Sequence, residues 1–369
     1  MRHKCWIWLL AALLLLPTLA AADVKVGLMC PMTGKWASEG QDMQNIVRLL
    51  VDESNKKKAG EKIILVVEDD AGDPRTAALA AQKLASAGVV SVVGTYGSAV
   101  TEASQNILNE ASIVQVATGS TSVRLTEKGF PLFFRTCPRD DAQGKAAANV
   151  ILKKGYGKVA LLHDNSSYAK GLAEETKQAL EGSPVKIVFL DALTPGDRDY
   201  TAILTKLKAA EPDVVFFTGY YPETGMLLKQ KKDMHWNVPM MGGDAANNQD
   251  LVTIAGNDAA KGYFFVSPPL PQDLDTKEAK DFLAQYVARY GNPPVSVWAV
   301  LAGDAFSCLD AAIQAGNKTP ASIAAFLGNL KDMPGLSGTI GFDAKGDRVG
   351  EFYRVYEVND KGVFILQPK

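Results

Sequence analysis

Short apolar runs alternate with amphipathic segments along this chain, and the whole alternation occurs twice. Val24–Met29, Ile63–Val67, Val89–Val93 and Ile113–Val116 read as buried strands. Between them lie three helical segments: Ser38–Lys58, a stretch opened by Asp73-Pro74 and stopped at Gly88, and Ser98–Glu110. In the first, Met43, Ile46, Val47, Leu50 and Val51 fall on one face, and Ser38 with Gln41 three residues on predicts a capping box. Pro74 suits a first helical position, and Gly88 suits a left-handed stop. The pattern restarts after about residue 139. Helices are expected at Ala142–Lys154, Tyr168–Glu181, Tyr200–Ala210 and Pro222–Asp233, and strands at Val159–His163, Val185–Leu190 and Val214–Thr218. Strands joined by helical crossovers run parallel, and a parallel sheet needs cover on both faces. The expectation is therefore an α/β chain with two doubly wound lobes, and 369 residues suit two domains of ordinary size.

The last third breaks the rhythm. Phe264–Val266 runs into Ser267-Pro268-Pro269-Leu270-Pro271, a strong interruption. Helices at 276–290, 295–315 and 320–330 precede β-rich pieces at 337–342, 351–358 and 363–367. These pieces lack a four-strand core of their own. They must complete lobes already begun, so the backbone must cross between lobes more than once.

The N-terminus reads as an export signal. Arg2, His3 and Lys4 precede an unbroken apolar run from Trp6 to Leu16, and Ala20-Ala21-Ala22 offers small residues for cleavage near Ala22. The apolar run is too short for a membrane span of about 20 residues. No later segment reads as long and apolar enough to cross a bilayer, so the mature chain is expected to be soluble and periplasmic. Its formal charge is −4 without the first 22 residues. That balance gives no basic surface for nucleic acid. Three His and four Cys poorly support a metal cluster, and no cofactor is implied. Cys30, Cys137 and Cys308 survive cleavage and allow at most one bridge; three buried small hydrophobes is the preferred reading.

Enzyme signatures are weak. Gly155-Tyr156-Gly157-Lys158-Val159-Ala160 precedes its strand, whereas a dinucleotide loop must follow one. No G-x-S-x-G and no H-E-x-x-H occurs. His163-Asp164 lacks a convincing nucleophile, and Glu68-Asp69-Asp70 with Asp73 reads as a strand end and a helix start.

Ligands of open parallel sheets bind beyond the carboxyl ends of the strands. Those ends carry Gly94-Thr95-Tyr96-Gly97-Ser98, then Ala117-Thr118-Gly119-Ser120-Thr121-Ser122. Two small, hydroxyl-bearing loops side by side could hold a carboxylate. Plain N-capping by Ser98 and a turn over 118–122 explain the same letters. In the second half the ends carry Tyr168, Tyr220 and Asp244, which suit an amine and an apolar group; surface packing and a turn or cap are the alternatives.

At this point the residues resemble the periplasmic branched-chain amino-acid binding proteins of ABC importers. The resemblance rests on Pro31-Met32-Thr33-Gly34 with Gly40, Glu68-Asp69-Asp70 with Asp73-Pro74, and Gly94 to Thr101. It continues through Ala117 to Thr126, Phe134-Arg135-Thr136, His163-Asp164 to Tyr168 with Gly171-Leu172-Ala173, and Gly219-Tyr220 with Pro222-Glu223. It implies a type I periplasmic binding protein fold, with hinge crossings near 138–141, 266–270 and 341–346. The implied N-terminal lobe is 23–139 plus 268–343, and the C-terminal lobe 140–267 plus 344–369. It implies a solute-capture protein that hands an amino acid to a membrane permease; a monomer is the default for a protein that must hinge, and the weak signatures above point away from an enzyme. Sensing, or binding of amides, urea-like solutes or small aromatic acids, is the nearest alternative. By position, Ser98, Gly119 and Thr121 would hold the ligand carboxylate, Asp244 its ammonium, and Tyr168 and Tyr220 the closing lobe. Tyr96 would line the side-chain pocket. Trp36 and Tyr96 are bulkier than some counterparts, and Gly72 and Gly97 stand where some members carry a disulfide. Glu39 stands where an aromatic is common, so it could meet a polar or cationic side chain or face solvent.

Overall fold

The computed structural model describes residues 23–58 and 60–368; the expected cleavage segment lies outside them. The first half builds β1 (Val24–Cys30), α1 (Ala37–Lys57), β2 (Ile63–Asp69), α2 (Pro74–Ala87), β3 (Ser91–Val93), α3 (Ser98–Glu110), β4 (Val114–Ala117), α4 (Arg124–Glu127) and β5 (Phe133–Arg135). Its five strands form one parallel sheet in the order β2-β1-β3-β4-β5. Asp73 caps α2 by accepting from the Arg75 and Thr76 amides, and Gly88 closes it with φ 73°. α4 and β5 are not apparent in the sequence pattern, because each is only one short turn or three residues long.

The second half builds α5 (Asp140–Lys153), β6 (Lys158–His163), α6 (Ser167–Ala179), β7 (Lys186–Ala192), α7 (Thr201–Ala209), β8 (Val214–Phe217), α8 (Tyr221–Asp233), β9 (Met240–Gly242), α9 (Asp250–Ala255), α10 (Asn257–Ala260) and β10 (Phe264–Ser267). The remainder is α11 (Lys277–Tyr290), α12 (Val297–Gln314), α13 (Pro320–Gly328), β11 (Met333–Gly335), β12 (Gly338–Ile340), β13 (Arg354–Val358) and β14 (Phe364–Leu366). The second sheet runs β14-β13-β10-β9-β8-β6-β7. Only β13 and β14 join it antiparallel, so the C-terminal strands do complete a lobe already begun. β11 and β12 form a separate hairpin.

The chain thus leaves the first sheet after β5, returns after β10, and leaves again after β12. α12 makes the return possible: it packs on α1 and reaches β3 and β4. Its length and mean hydropathy of 1.2 reach those of a membrane span, which corrects the expectation that no later segment would, but 83% of it is buried. It is a core helix, covered on nearly all sides. The strand departures are tied together by charge. Asp347 accepts from Arg135 Nε and from Arg139 Nη1 at 2.7 Å, while Arg348 donates to the Thr136 carbonyl at 3.1 Å. Gly346 is required there, because a Cβ would lie 2.2 Å from the Phe133 carbonyl oxygen.

The expected capping box is absent. α1 begins one residue earlier, with no side-chain cap. Ser38 instead donates to Asp250 Oδ2 at 2.8 Å, a partner from the other lobe. Cys30, Cys137 and Cys308 are buried and free.

Candidate interlobe binding site

β3 and β4 are neighbours, paired Val93 to Val116, so their following loops start side by side. The loops then lock. Ser120 Oγ donates to the Thr95 and Tyr96 carbonyls at 3.2 and 3.1 Å, and Ser122 N donates to Ser98 Oγ at 3.2 Å. Ser98 therefore does not cap α3; Gly97 holds the cap position and no side chain serves it. Gly119 has no room for a side chain, since a Cβ would lie 2.6 Å from the Tyr96 ring. Thr121 Oγ1 and Ser122 Oγ are buried and make no well-aligned hydrogen bond among the described residues. Such hydroxyls are costly unless something else accepts from them.

In the second sheet β6, β8 and β9 are likewise adjacent, and the loops after them carry Tyr168, Tyr220 and Asp244. All three are buried, which excludes surface packing. Tyr168 Oη donates to Asp244 Oδ1 and Tyr353 Oη to Asp244 Oδ2, each at 3.0 Å. Gln143 binds both acids of this region: it accepts from the Asp244 amide at 2.8 Å and donates to Asp140 Oδ1 at 3.0 Å. Asp140 Oδ2 makes no well-aligned hydrogen bond among the described residues, although the Thr121 hydroxyl lies beside this carboxyl and the Asp140 amide donates to the Thr121 carbonyl at 2.9 Å. Burial pushes Asp244 up to about 7 despite its tyrosine donors. Burial, and then the charge of Asp244, push Asp140 up as well. Two buried acids with spare acceptor capacity form a place that a cation would satisfy.

An aromatic cluster packs alongside these polar groups. The Trp36 ring lies 4.3 Å from Tyr220 and 5.3 Å from Tyr96; Tyr220 also meets Tyr168 at 5.2 Å, and Tyr96 meets Trp298 at 6.0 Å. Gly72 and Gly97 make this possible. A Cβ on either would come within 2.6 or 2.8 Å of the Trp36 indole, so the ring fills the space beside both glycines. Gly97→Ala is expected to cost about 1–3 kcal/mol by overpacking that slot. Urea unfolding checks this, and an unchanged midpoint would contradict the packing argument.

Glu39 does not face solvent. It is fully buried, accepting from Asn248 Nδ2 at 2.7 Å and from Ser296 Oγ. Burial pushes its carboxyl up to about 8. Asn248 follows β9, so this bond joins the lobes, as do Tyr221 Oη to the Lys35 carbonyl at 3.0 Å and the Lys35–Glu223 ion pair at 3.5 Å. A carboxyl with a raised folded value stays protonated while its unfolded counterpart ionises, so it lowers stability as pH rises from about 4.5 to about 8. Glu39→Gln is expected to flatten that part of the stability profile. Equal slopes for both proteins in denaturant titrations would count against it.

Asp140, Asn248, Ser296, Trp298 and Tyr353 belong to the same region and were not singled out by motif. Trp298 looks like an ordinary core residue in an apolar helix, and Tyr353 an ordinary strand residue. Asp140 does fall within the expected first crossing, the one signal that could have drawn notice. In the His163-Asp164 pair, His163 Nδ1 accepts from the Asn165 amide at 3.2 Å, and Asp164 from the Ser166 amide at 2.9 Å, so both serve the turn that follows β6.

Comparison with known proteins agrees with this geometry. Residues 23–363 match the family described as periplasmic binding protein. A Leu/Ile/Val-binding protein of Rhizobium johnstonii is 36% identical, over 94% of this chain and 95% of its own. A leucine-, isoleucine-, valine-, threonine- and alanine-binding protein of Pseudomonas aeruginosa is 32% identical, over 92% and 91%. The crystal structure of a Streptococcus pneumoniae branched-chain amino-acid transporter substrate-binding protein, in complex with isoleucine, superposes with a TM-score of 0.85 at 30% identity, covering 93% and 97%. A Thermotoga maritima leucine-binding protein gives 0.85 at 27%, covering 94% and 98%. With two parallel-sheet lobes, adjoining strand-end loops on each, and relatives matched nearly end to end, this chain belongs to the periplasmic binding protein family, with the type I fold.

Proposed function

We propose that this protein captures an α-amino acid, branched-chain or neighbouring aliphatic or polar, between its lobes and delivers it to an ABC importer permease. The observation that carries the reading is the placement of unpaired polar atoms. Hydroxyls of Thr121 and Ser122 lie buried on the first lobe, and Asp140 and Asp244 form a buried acidic pair, Asp140 lying directly beside Thr121. A zwitterion has a charge for each. Ser98, Gly119 and Thr121 would meet the carboxylate on the first lobe. Closure about the three strand departures would then bring Tyr168, Tyr220 and Asp244 onto the ligand. Closure removes water from both charges, so both need partners. Charge-assisted bonds of about 1.5–3 kcal/mol each are enough for micromolar binding after ordering costs. The relatives' ligands support the amino-acid class. The lobe limits 23–139 with 268–343, and 140–267 with 344–369, belong to the same proposal, as does a monomer free to hinge.

Calorimetry on protein freed of co-purified solute by unfolding and refolding tests the reading. Micromolar or tighter binding of some amino acids is expected, weakened by Ser98→Ala. Failure of every α-amino acid to bind would refute it. Cleavage near Ala22 predicts that the exported protein begins at Asp23; N-terminal sequencing that still reads Met1 would refute export by this signal.

A further inference from the structure

The structure assigns the side-chain end of this cleft to an acceptor: we infer that the preferred ligand is a polar amino acid whose side chain ends in a carboxamide or carboxylate oxygen. The inference rests on the amino-acid reading above and narrows it. Trp36 Nε1, Tyr96 Oη and Trp298 Nε1 are all buried and have no hydrogen-bond partner among the described residues. The three side chains meet around Tyr96, whose ring lies 5.3 Å from Trp36 and 6.0 Å from Trp298. An indole N–H can only donate, and a tyrosine hydroxyl donates well. Three stranded donors in one aromatic compartment make a poor lining for an aliphatic side chain, because each stays unmatched when water leaves.

Their surroundings place them at the ligand and not in a distant core. The near edge of Tyr96 rests on Gly119, which the amino-acid reading places at the carboxylate. The six-membered edge of Trp36 is wedged against Gly72 and Gly97, so the opposite edge, carrying Nε1, looks away from that slot. Tyr220, from the closing lobe, covers the Trp36 ring. The three rings thus sit beside the loop that the amino-acid reading places at the carboxylate.

Glu39 is the obvious protein acceptor nearby, and it is already engaged. One of its oxygens takes Asn248 and the other Ser296. For the same reason it is not poised for a lysine or arginine ligand. A site with matched donors rejects an isostere lacking the acceptor far more strongly than an apolar pocket rejects an added polar group.

Leucine and asparagine are near-isosteric, so the pair isolates the acceptor. Calorimetry on refolded, solute-free protein should compare leucine, valine, asparagine, glutamine, aspartate, glutamate, lysine and arginine. Asparagine or glutamine, or their acids, are expected to bind at least about tenfold more tightly than leucine. Tyr96→Phe, and independently Trp298→Phe, should weaken that binding about tenfold more than they weaken leucine binding. Leucine or valine binding as tightly as the polar set, with neither variant selective, would overturn the inference while leaving the amino-acid reading intact. Preference for lysine or arginine would overturn it in favour of Glu39. Binding of no amino acid at all would remove both readings together.

Discussion

Asp244→Ala is expected to weaken amino-acid binding by about thirtyfold to several thousandfold, the range for removing one partner of a buried charge pair. The argument is electrostatic. A ligand ammonium enclosed between the lobes loses its water, and Asp244 is the acid already oriented for it, held at both oxygens by Tyr168 and Tyr353. Asp140 lies across Gln143 and offers a second, weaker partner, so residual binding is expected and not its complete loss. Calorimetry at pH 7 measures this; affinity within twofold of the native protein would dismiss Asp244 as the ammonium partner. The pH dependence adds a second signature. Asp244 is raised to about 7 in the folded protein, so below that value it carries a proton that an arriving ammonium must displace. Affinity should therefore fall as pH drops below about 7, and Asp244→Asn should remove most of that slope. Stability moves the other way: this acid opposes folding as pH rises from about 3.8 to about 7, so binding and stability separate in the variant.

The largest expected stability effect lies at the strand departures. Asp347→Ala leaves the fully buried Arg135 without its carboxylate and should destabilise the protein by about 3–5 kcal/mol. Arg135 would keep only neutral acceptors, the Ser120 and Ser122 carbonyls at 3.0 and 2.8 Å and the Thr126 hydroxyl at 2.7 Å. Because those carbonyls belong to the ligand loop, the same change should also loosen binding. Guanidinium unfolding measures the first effect; a loss below about 1 kcal/mol would mean that the pair is neutral on balance. Burial by itself would raise Asp347, but Arg135 and Arg139 outweigh it and hold the carboxyl below its usual range. The sign follows: this contribution is present above about pH 3.8 and is lost as pH falls through the lower folded value.

Much of this architecture could be read in advance. The limits of α3 match the periodicity residue for residue, and α2 starts and stops where Asp73, Pro74 and Gly88 require. Those signals are local, set by hydrogen bonding and backbone freedom within a few residues. The strand-end rule singled out the loops that carry Ser98, Gly119, Thr121, Tyr168, Tyr220 and Asp244, because parallel sheets place all such loops on one edge; their roles toward a ligand belong to the proposal. Short elements such as α4 and β5 escaped, since three or four residues carry no usable period. Ser38 illustrates the converse error. Its letter and spacing fit a cap, but a partner more than two hundred residues away takes its hydroxyl.

By itself, then, the sequence determined the repeating α/β order, the helix stops and the loops that carry polar chemistry, because each depends on neighbours along the chain. Tertiary structure alone decided that Glu39 is sealed between Asn248 and Ser296, that Trp36 fills the space left by Gly72 and Gly97, and that Asp140 and Tyr353 join Asp244. These contacts bring together residues far apart in the chain. Their burial, and the charge states that follow from it, exist only once the lobes have packed and excluded water.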